Sequence, residues 1–335
     1  MAVCDSIKLE KGMYSVSGKS FTTVLEELDP SENYKGTSLE SLDAYQRQLK
    51  RFDIRVSGTG CDKVEKFFST TDSAMLFPEF ISRAIKQGLT ACDVIPSITA
   101  ANTVIDGIDY RAITSSTDPL GSDNTGAEGK LLRAVNVSTN STLVSLKKYG
   151  RLFSSTYEAL RFQNLDVVAV IFKQIGMDIA SEQLKDAVTA LLSSGTSAAA
   201  TIDSTTAGTL VYTDLLKLWA GLSPYQPNVM IASSATIENI LGLTTMQDAQ
   251  AGLNFQGTGK IITPLGAKLV LSEEVAAKKI IGLDRNFALQ MIQSGDVTVE
   301  YDKVIEKQLE QAAISITAGF SRIFKDAVKV LDYTA

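Results

Sequence analysis

The chain has 335 residues, a net charge of −6 at pH 7 and no histidine. The missing imidazole excludes a Ser-His-Asp triad, a Cys-His pair and any His-ligated metal. The acidic balance gives no overall basic face of the kind that grips nucleic acid. Hydrophobic residues are 44% and charged residues 21%, an ordinary globular mixture, and the length suits two domains or one elaborated one.

The chain begins MAVCDSIKLEKGMY, where Asp5, Lys8, Glu10 and Lys11 leave no apolar core for a signal peptide. Residues 1–73 are mixed and polar, with one amphipathic stretch: Leu39, Leu42, Tyr45, Leu49 and Phe52 recur at steps of three and four. Thr37 with Glu40 forms a capping box that predicts where this helix starts. Arg47, Lys50, Arg51 and Arg55 make its later part basic. A solvated surface helix is one reading; docking on protein is favoured, because the apolar anchors outweigh charges that water can satisfy.

The next segment, FPEFISRAIKQG from position 77, reads as a complete short helix, with Pro78 in its first turn and Gly88 just past its end. TVIDGIDYRAI, KLLRAVNVS and TLVSLKKYG then read as strands, so residues 107–150 form a long β-hairpin with a glycine-rich polar tip. Such a hairpin is marginal in water by itself and needs a surface to lie on. Ser155 with Glu158 makes a second capping box. Val168, Phe172, Ile175 and Ile179, then Ala180, Leu184, Val188 and Leu191, mark a helix from Leu165 to Leu192, about 42 Å long at 1.5 Å per residue. Its opening run VVAVIF, residues 167–172, is the purest apolar stretch and is too short to span a bilayer.

Residues 193–209 are loop-like. TDLLKLWAGL, NVMIA, SATIENILGL, LGAKLVLS, KKIIGLD, FALQMI and VTVEYD then alternate helix and strand around a sheet. Trp219 sits among leucines, and core packing is its default reading. In AAISITAGF, Ile314, Ile316, Ala318 and Phe320 point one way and Ser315, Thr317 and Gly319 the other, as in a strand with one buried face. AVKVLDY closes the chain. No internal repeat is present.

The searches for chemistry fail one by one. In PLGSDNTGAEGK, residues 119–130, Gly121 and Gly126 have the P-loop spacing but Ala127 and Glu128 follow; Gly129-Lys130 lacks the first glycine and is followed by Leu131. Asp118, Asp123 and Glu128 would repel phosphate, and their spacing does not match an EF-hand. Glu26-Glu27 and Glu273-Glu274 are adjacent acids, read as solvated charge. Cys4, Cys61 and Cys92 form no C-x-x-C and fit unpaired thiols in a reducing compartment. The expectation is a non-enzyme without cofactor or metal.

What remains is a long helix, an unsupported hairpin, an N-terminal arm and an α/β part, an economy that makes sense when each extended part lies on another copy. The order of elements resembles the major capsid proteins of tailed bacteriophages, the Hong Kong ninety-seven-type shell fold. The resemblance rests on LFPEFISRAIKQG, the hairpin ending in AEGKLL, VSLKKYGRLFSSTYEALRFQNLDVVAVIFKQIGMDIA, Tyr225 with NVMIASSATIENIL, and GDVTVEYD with the alternating strand, over residues 74–333.

The resemblance implies an α+β shell fold. Residues 1–73 are expected as the N-terminal arm. Residues 74–106, 151–195 and 301–325 would form a peripheral domain with the spine helix, 107–150 the extended hairpin loop, and 196–300 with 326–335 the axial domain. The function implied is self-assembly as pentamers and hexamers into an icosahedral shell around a double-stranded DNA genome, in the virion after assembly in the host cytoplasm. Portal, scaffold and decoration proteins are the implied partners, with no sequence-specific DNA binding and no membrane. An encapsulin-like compartment enclosing an enzyme is the alternative, and an enzyme using carboxylates comes third. About 73 residues precede the matching stretch, so the expectation is no proteolytic removal of a scaffolding segment, and a separate scaffold protein or none. Although Lys130 lies in the hairpin loop, no asparagine or glutamate can be matched to it, so no covalent cross-link is expected. Contacts with neighbouring copies are expected at Leu120, Gly121, Asp123, Gly126, Glu128 and Lys130 of the loop, and at Leu42, Tyr45, Leu49 and Phe52 of the arm.

Overall fold

The computed structural model describes residues 7–15, 19–91, 94–115, 137–194, 197–244 and 265–334. In chain order the helices are α1 (Phe21–Leu28), α2 (Ala44–Arg51), α3 (Thr71–Ala74), α4 (Phe77–Ala91), α5 (Ile95–Ile98), α6 (Tyr157–Arg161), α7 (Leu165–Leu192), α8 (Tyr212–Gly221) and α9 (Ser234–Leu241). The strands are β1 (Thr99–Ile105), β2 (Arg111–Ser115), β3 (Val137–Leu143), β4 (Lys147–Thr156), β5 (Ser193–Ser194), β6 (Ser197–Ala198), β7 (Ala200–Asp203), β8 (Val229–Ala232), β9 (Lys268–Leu271), β10 (Lys279–Leu283), β11 (Leu289–Val304), β12 (Leu309–Arg322) and β13 (Val328–Asp332). Two units emerge, one from residues 1–92, 148–181 and 295–317, the other from 93–147, 182–294 and 318–335. A four-stranded sheet runs in the order β1-β11-β12-β4.

In the first unit, Ser20 caps α1 by accepting from the Thr23 amide, and Phe21 and Leu25, four apart, are buried. Helix α2 starts later than the sequence suggests. Asp43 and Gln46 form its capping box, with Gln46 N to Asp43 Oδ1 at 2.8 Å and Asp43 N to Gln46 Oε1 at 3.1 Å. Thr37 and Glu40 serve a turn instead. Gly36 takes φ 76°, its amide donates to Glu40 Oε2 at 2.9 Å, and Thr37 Oγ1 donates to the Tyr34 carbonyl at 2.7 Å. Helix α2 is held against α1 by Arg47, which is 1% exposed. Its Nε donates to Asp29 Oδ2 at 2.8 Å, and its other nitrogens reach the Leu42 carbonyl and Ser31 Oγ. Tyr34 Oη donates to the other Asp29 oxygen at 2.6 Å, so the buried carboxylate is fully partnered.

Helix α4 runs on through Gly88 to Ala91, so this glycine does not end it. Its role is close approach. A Cβ on Gly88 would stand 2.1 Å from the Lys173 carbonyl oxygen, and one on Gly176 would stand 2.3 Å from the Ile85 carbonyl oxygen. Helices α4 and α7 therefore touch backbone to backbone at two glycines. Around this crossing Phe77, Ile81, Ile85, Leu165, Val168 and Phe172 are at most 1% exposed.

The second unit carries a five-stranded sheet, β7-β13-β10-β8-β9. Strands β13/β7 and β8/β9 are parallel, while β10 pairs antiparallel with both β13 and β8. Both faces are covered, which is why VMIA in β8 is buried at every position. Val229, Ile231, Ile281, Leu283 and Val328 pack with Val188 and Leu191 of α7. Met230, Ala232, Ile280 and Leu331 pack with Leu215 and Leu218 of α8 and Ile240 of α9. The C-terminal turn of α7 is tied down by Arg322, whose Nη1 donates to the Leu191 carbonyl at 3.2 Å.

Strands β10 and β13 are also joined by Lys279 Nζ to Asp332 Oδ2 at 2.8 Å. That lysine, with the Thr334 hydroxyl and amide, lowers the Asp332 pKa to about 2. The depressed value means the contribution to stability is present above the unfolded value of about 3.9 and disappears as pH falls through about 2. Acid titration of unfolding should show Asp332→Asn less stable than the native chain at pH 6, with the gap closing between about pH 4 and 2.

Candidate assembly surfaces

The described residues hold no group of three or more His, Cys, Asp or Glu side chains able to bind a metal. Their buried acids complete turns and pairs. Asp214, fully buried, accepts from the Thr205 amide at 2.7 Å and from the Thr205 hydroxyl. Burial pushes its pKa up, but these donors and Lys217 outweigh burial and hold it below the ordinary value. Asp284 accepts from the Gln226 amide, the Asn228 side chain and the Asn286 amide. Burial, with the Glu79 carboxylate adding to it, raises Tyr14 and Tyr45, so both phenols stay neutral donors. Each of these groups holds the fold together. No helix among the described residues is long and apolar enough to cross a membrane.

The outer surface carries apolar groups that a lone chain leaves in water. From Val167 to Phe172 α7 carries only apolar side chains, on its outward side as well as on its inward one. Val168 and Phe172 face the core, while Val167, Val170 and Ile171 are 52%, 63% and 46% exposed, and Phe162, shortly before the helix in the chain, is 60% exposed. A helix that is hydrophobic all round belongs in a buried setting, and a contiguous exposed patch marks an interaction site. The signal was in the sequence, because VVAVIF holds more apolar residues in succession than one helix face can bury.

The hairpin is the second such surface. Strands β2 and β3 pair antiparallel, from Arg111↔Leu143 to Ser115↔Val137, with a register shift between Arg111 and Ile113. Ile113 and Leu143 are about half exposed, and Ile108 at its base is more so. TVIDGIDYRAI is divided between two strands, β1 pairing parallel with β11 and β2 entering the hairpin.

Of the expected contact residues, Leu120, Gly121, Asp123, Gly126, Glu128 and Lys130 lie outside the described residues. Leu42 and Phe52 are half-buried. Tyr45 and Leu49 are buried inside the chain itself, with Tyr45 Oη donating to the Leu76 carbonyl at 3.2 Å and its ring 4.4 Å from the Arg83 guanidinium carbon. Their side chains serve the first unit's own core because α2 packs on α1 and α4. Trp219, expected in the core, is instead 49% exposed beside Leu216 at 38%. Helix α8 buries Leu215, Leu218 and Leu222, and Trp219 flanks that stripe on its solvent side.

Residues 138–323 match the family model of the phage capsid protein, which is more than half of the chain. The chain belongs to the phage capsid protein family. No curated protein sequence matches it. Among solved structures, this capsid protein is similar to the virus-like particle from Pyrococcus furiosus, with TM-score 0.55 and 13% identity over 76% of this chain and 98% of that one. It is similar also to the capsid of a native GTA particle, with TM-score 0.55 and 15% identity over 72% and 90%. At such identities the likeness shows the fold, and that fold is the mixed α+β shell fold the sequence resembled. The capsid protein is thus a structural protein of the virion shell.

Proposed function

We propose that the chain is the major capsid protein of a tailed phage, assembling in the host cytoplasm as pentamers and hexamers into an icosahedral shell around double-stranded DNA. The carrying observation is the uncovered ridge of α7 with Phe162, apolar surface that only an assembly would bury. The hairpin of β2 and β3 grips a neighbouring copy. The part around β7–β10 and β13 meets its copies about the five-fold and six-fold axes. A portal, a scaffold and a decoration protein complete the particle, and the DNA is enclosed without sequence-specific contacts. A net charge of −6 suits release of the packaged DNA.

The double variant Val170→Asp/Ile171→Asp tests the ridge. Both positions are exposed, so thermal unfolding of the unassembled chain should stay within about 0.5 kcal/mol of native. The yield of sedimenting particles should fall about tenfold or more, because two interface anchors are replaced by charges. Native particle yield in this variant would contradict the assignment of the ridge. Nuclease treatment of native particles tests the contents: protected double-stranded DNA is expected, and a packaged protein in its place would overturn the genome-shell reading.

A further inference from the structure

Asp106-Gly107 is the one Asp-Gly or Asn-Gly pair in the 335 residues. It stands in the turn of residues 106–109 that leads from β1 into β2, and all of these turn residues are exposed. Nothing in the fold calls for glycine at 107. Its φ lies outside the left-handed region, and an added Cβ would meet nothing within 4 Å. What glycine leaves there is bare main chain next to an acid. The Asp106 carboxylate makes no hydrogen bond or ion pair among the described residues. The flanks of the turn are anchored. Ile105 pairs with Ser294 of β11, the Tyr110 carbonyl accepts from the Val144 amide at 2.9 Å, and Tyr110 Oη accepts from Gln290 Nε2 at 2.8 Å.

Three features together favour attack by a main-chain nitrogen on the preceding acid. The carboxyl is exposed and unpartnered, the following residue has no side chain to block the approach, and the turn lies outside any helix or ladder. The Asp-Ser pairs among the described residues lack this combination. Asp72-Ser73 lies in α3, and Asp203 of Asp203-Ser204 is held in β7 opposite Asp332.

We infer that Asp106-Gly107 is a site of self-modification, where the chain closes a succinimide and reopens it in part as isoaspartate. The Gly107 nitrogen bonds to Asp106 Cγ, the Cγ–OH bond breaks, and the hydroxyl leaves with the amide proton as water. A water then adds to one of the two ring carbonyls. Breaking the N–Cγ bond restores aspartate. Breaking the bond from the nitrogen to the former main-chain carbonyl leaves the chain running through Cβ and Cγ, and that carbonyl carbon becomes the free carboxylate. No oxidant or reductant takes part. Isoaspartate adds one methylene to the main chain between anchored flanks, so the extra length falls at the root of the hairpin of β2 and β3. On the shell reading, on which this consequence rests, aged chains misdirect the hairpin and enter particles poorly.

The test incubates the full, unassembled chain at neutral pH in oxygen-18 water and maps its peptides by electron-transfer fragmentation, which tells isoaspartate from aspartate. Labelled isoaspartate is expected at position 106, forming about tenfold or more faster than at any other aspartate among the described residues. Gly107→Ala should slow it about tenfold or more, because a methyl group obstructs the attacking nitrogen. The folded chain should react within about tenfold of the urea-unfolded one, since the fold leaves the turn open. Absence of isoaspartate at 106, an equal rate in Gly107→Ala, or stronger suppression in the folded chain would each overturn the site. Particles are then assembled from a partly aged pool, and their isoaspartate content is compared with the pool's. A content about tenfold lower is expected. An equal content would overturn the effect on the hairpin and leave the site standing. Failure of the fresh native chain to form particles would overturn the shell reading, again without touching the site.

Discussion

Gly88→Ala should destabilise the first unit by about 3 kcal/mol, the upper range for forcing extra volume into a packed interior. Two effects oppose each other. Alanine is the better helix former by about 1 kcal/mol in a helix interior. Against that, the added Cβ would lie 2.1 Å from the Lys173 carbonyl oxygen. The obstacle is main chain, which no rotamer change can relieve, so α4 and α7 must separate and loosen the contacts of Ile85 and Phe172. The clash therefore outweighs propensity. Gly176→Ala should behave alike, since its Cβ would meet the Ile85 carbonyl oxygen at 2.3 Å. Gly12→Ala, with nothing within 4 Å of its Cβ, is the control and should be nearly neutral. Urea unfolding checks all three. Equal midpoints for Gly88→Ala and Gly12→Ala would show that the helices do not cross as closely as described.

The second large effect is at Arg47. Arg47→Met should cost about 3–5 kcal/mol, because it leaves the Asp29 carboxylate buried with only Tyr34 Oη donating to it from a side chain. The Leu42 carbonyl and Ser31 Oγ lose a donor at the same time. In Arg47→Met/Asp29→Leu the unpaired charge is gone, so part of the loss should return. Chemical denaturation with tryptic digestion follows both variants, and early cleavage within residues 19–60 is expected for the single one. If this segment acted only as an arm lying on a neighbour, Arg47→Met would leave the unassembled chain's stability unchanged.

Regular, one-sided elements were legible in the sequence. Helix α7 spans the residues its apolar period indicates, and β12 buries Ile314, Ile316 and Ala318 as its alternation requires. Pairing across a turn was legible too, since β2 and β3 meet as a hairpin. Features decided by tertiary contact were not. Gly88 looks like a helix end because glycine commonly is one, yet what selects it is the backbone of α7, 85 residues away. Thr37 and Asp43 are both sound caps, and Gly36 in the left-handed region decided between them by turning the chain early. FALQMI and VTVEYD read as two strands because Gly295 interrupts them. They form one strand of 16 residues, with Gly295 at φ 71° inside it.

The candidate surfaces divide in the same way. Sequence can say that a hairpin is too thin to stand alone, but not which anchors of an amphipathic helix face inward, and α2 turned Tyr45 and Leu49 to the core. The α7 ridge is the converse case, because an apolar run shows only that more than one face needs cover. Which face the chain itself covers depends on α4, whose packing follows from two glycines that no local pattern connects.

The most direct test of the shell reading is light scattering on the purified full chain at rising concentration, with negative-stain microscopy of any large fraction. Closed shells, or rings of five and six subunits that convert to shells, are the predicted result. A chain that stays monomeric at high concentration, including in the presence of its phage's other structural proteins, would contradict it.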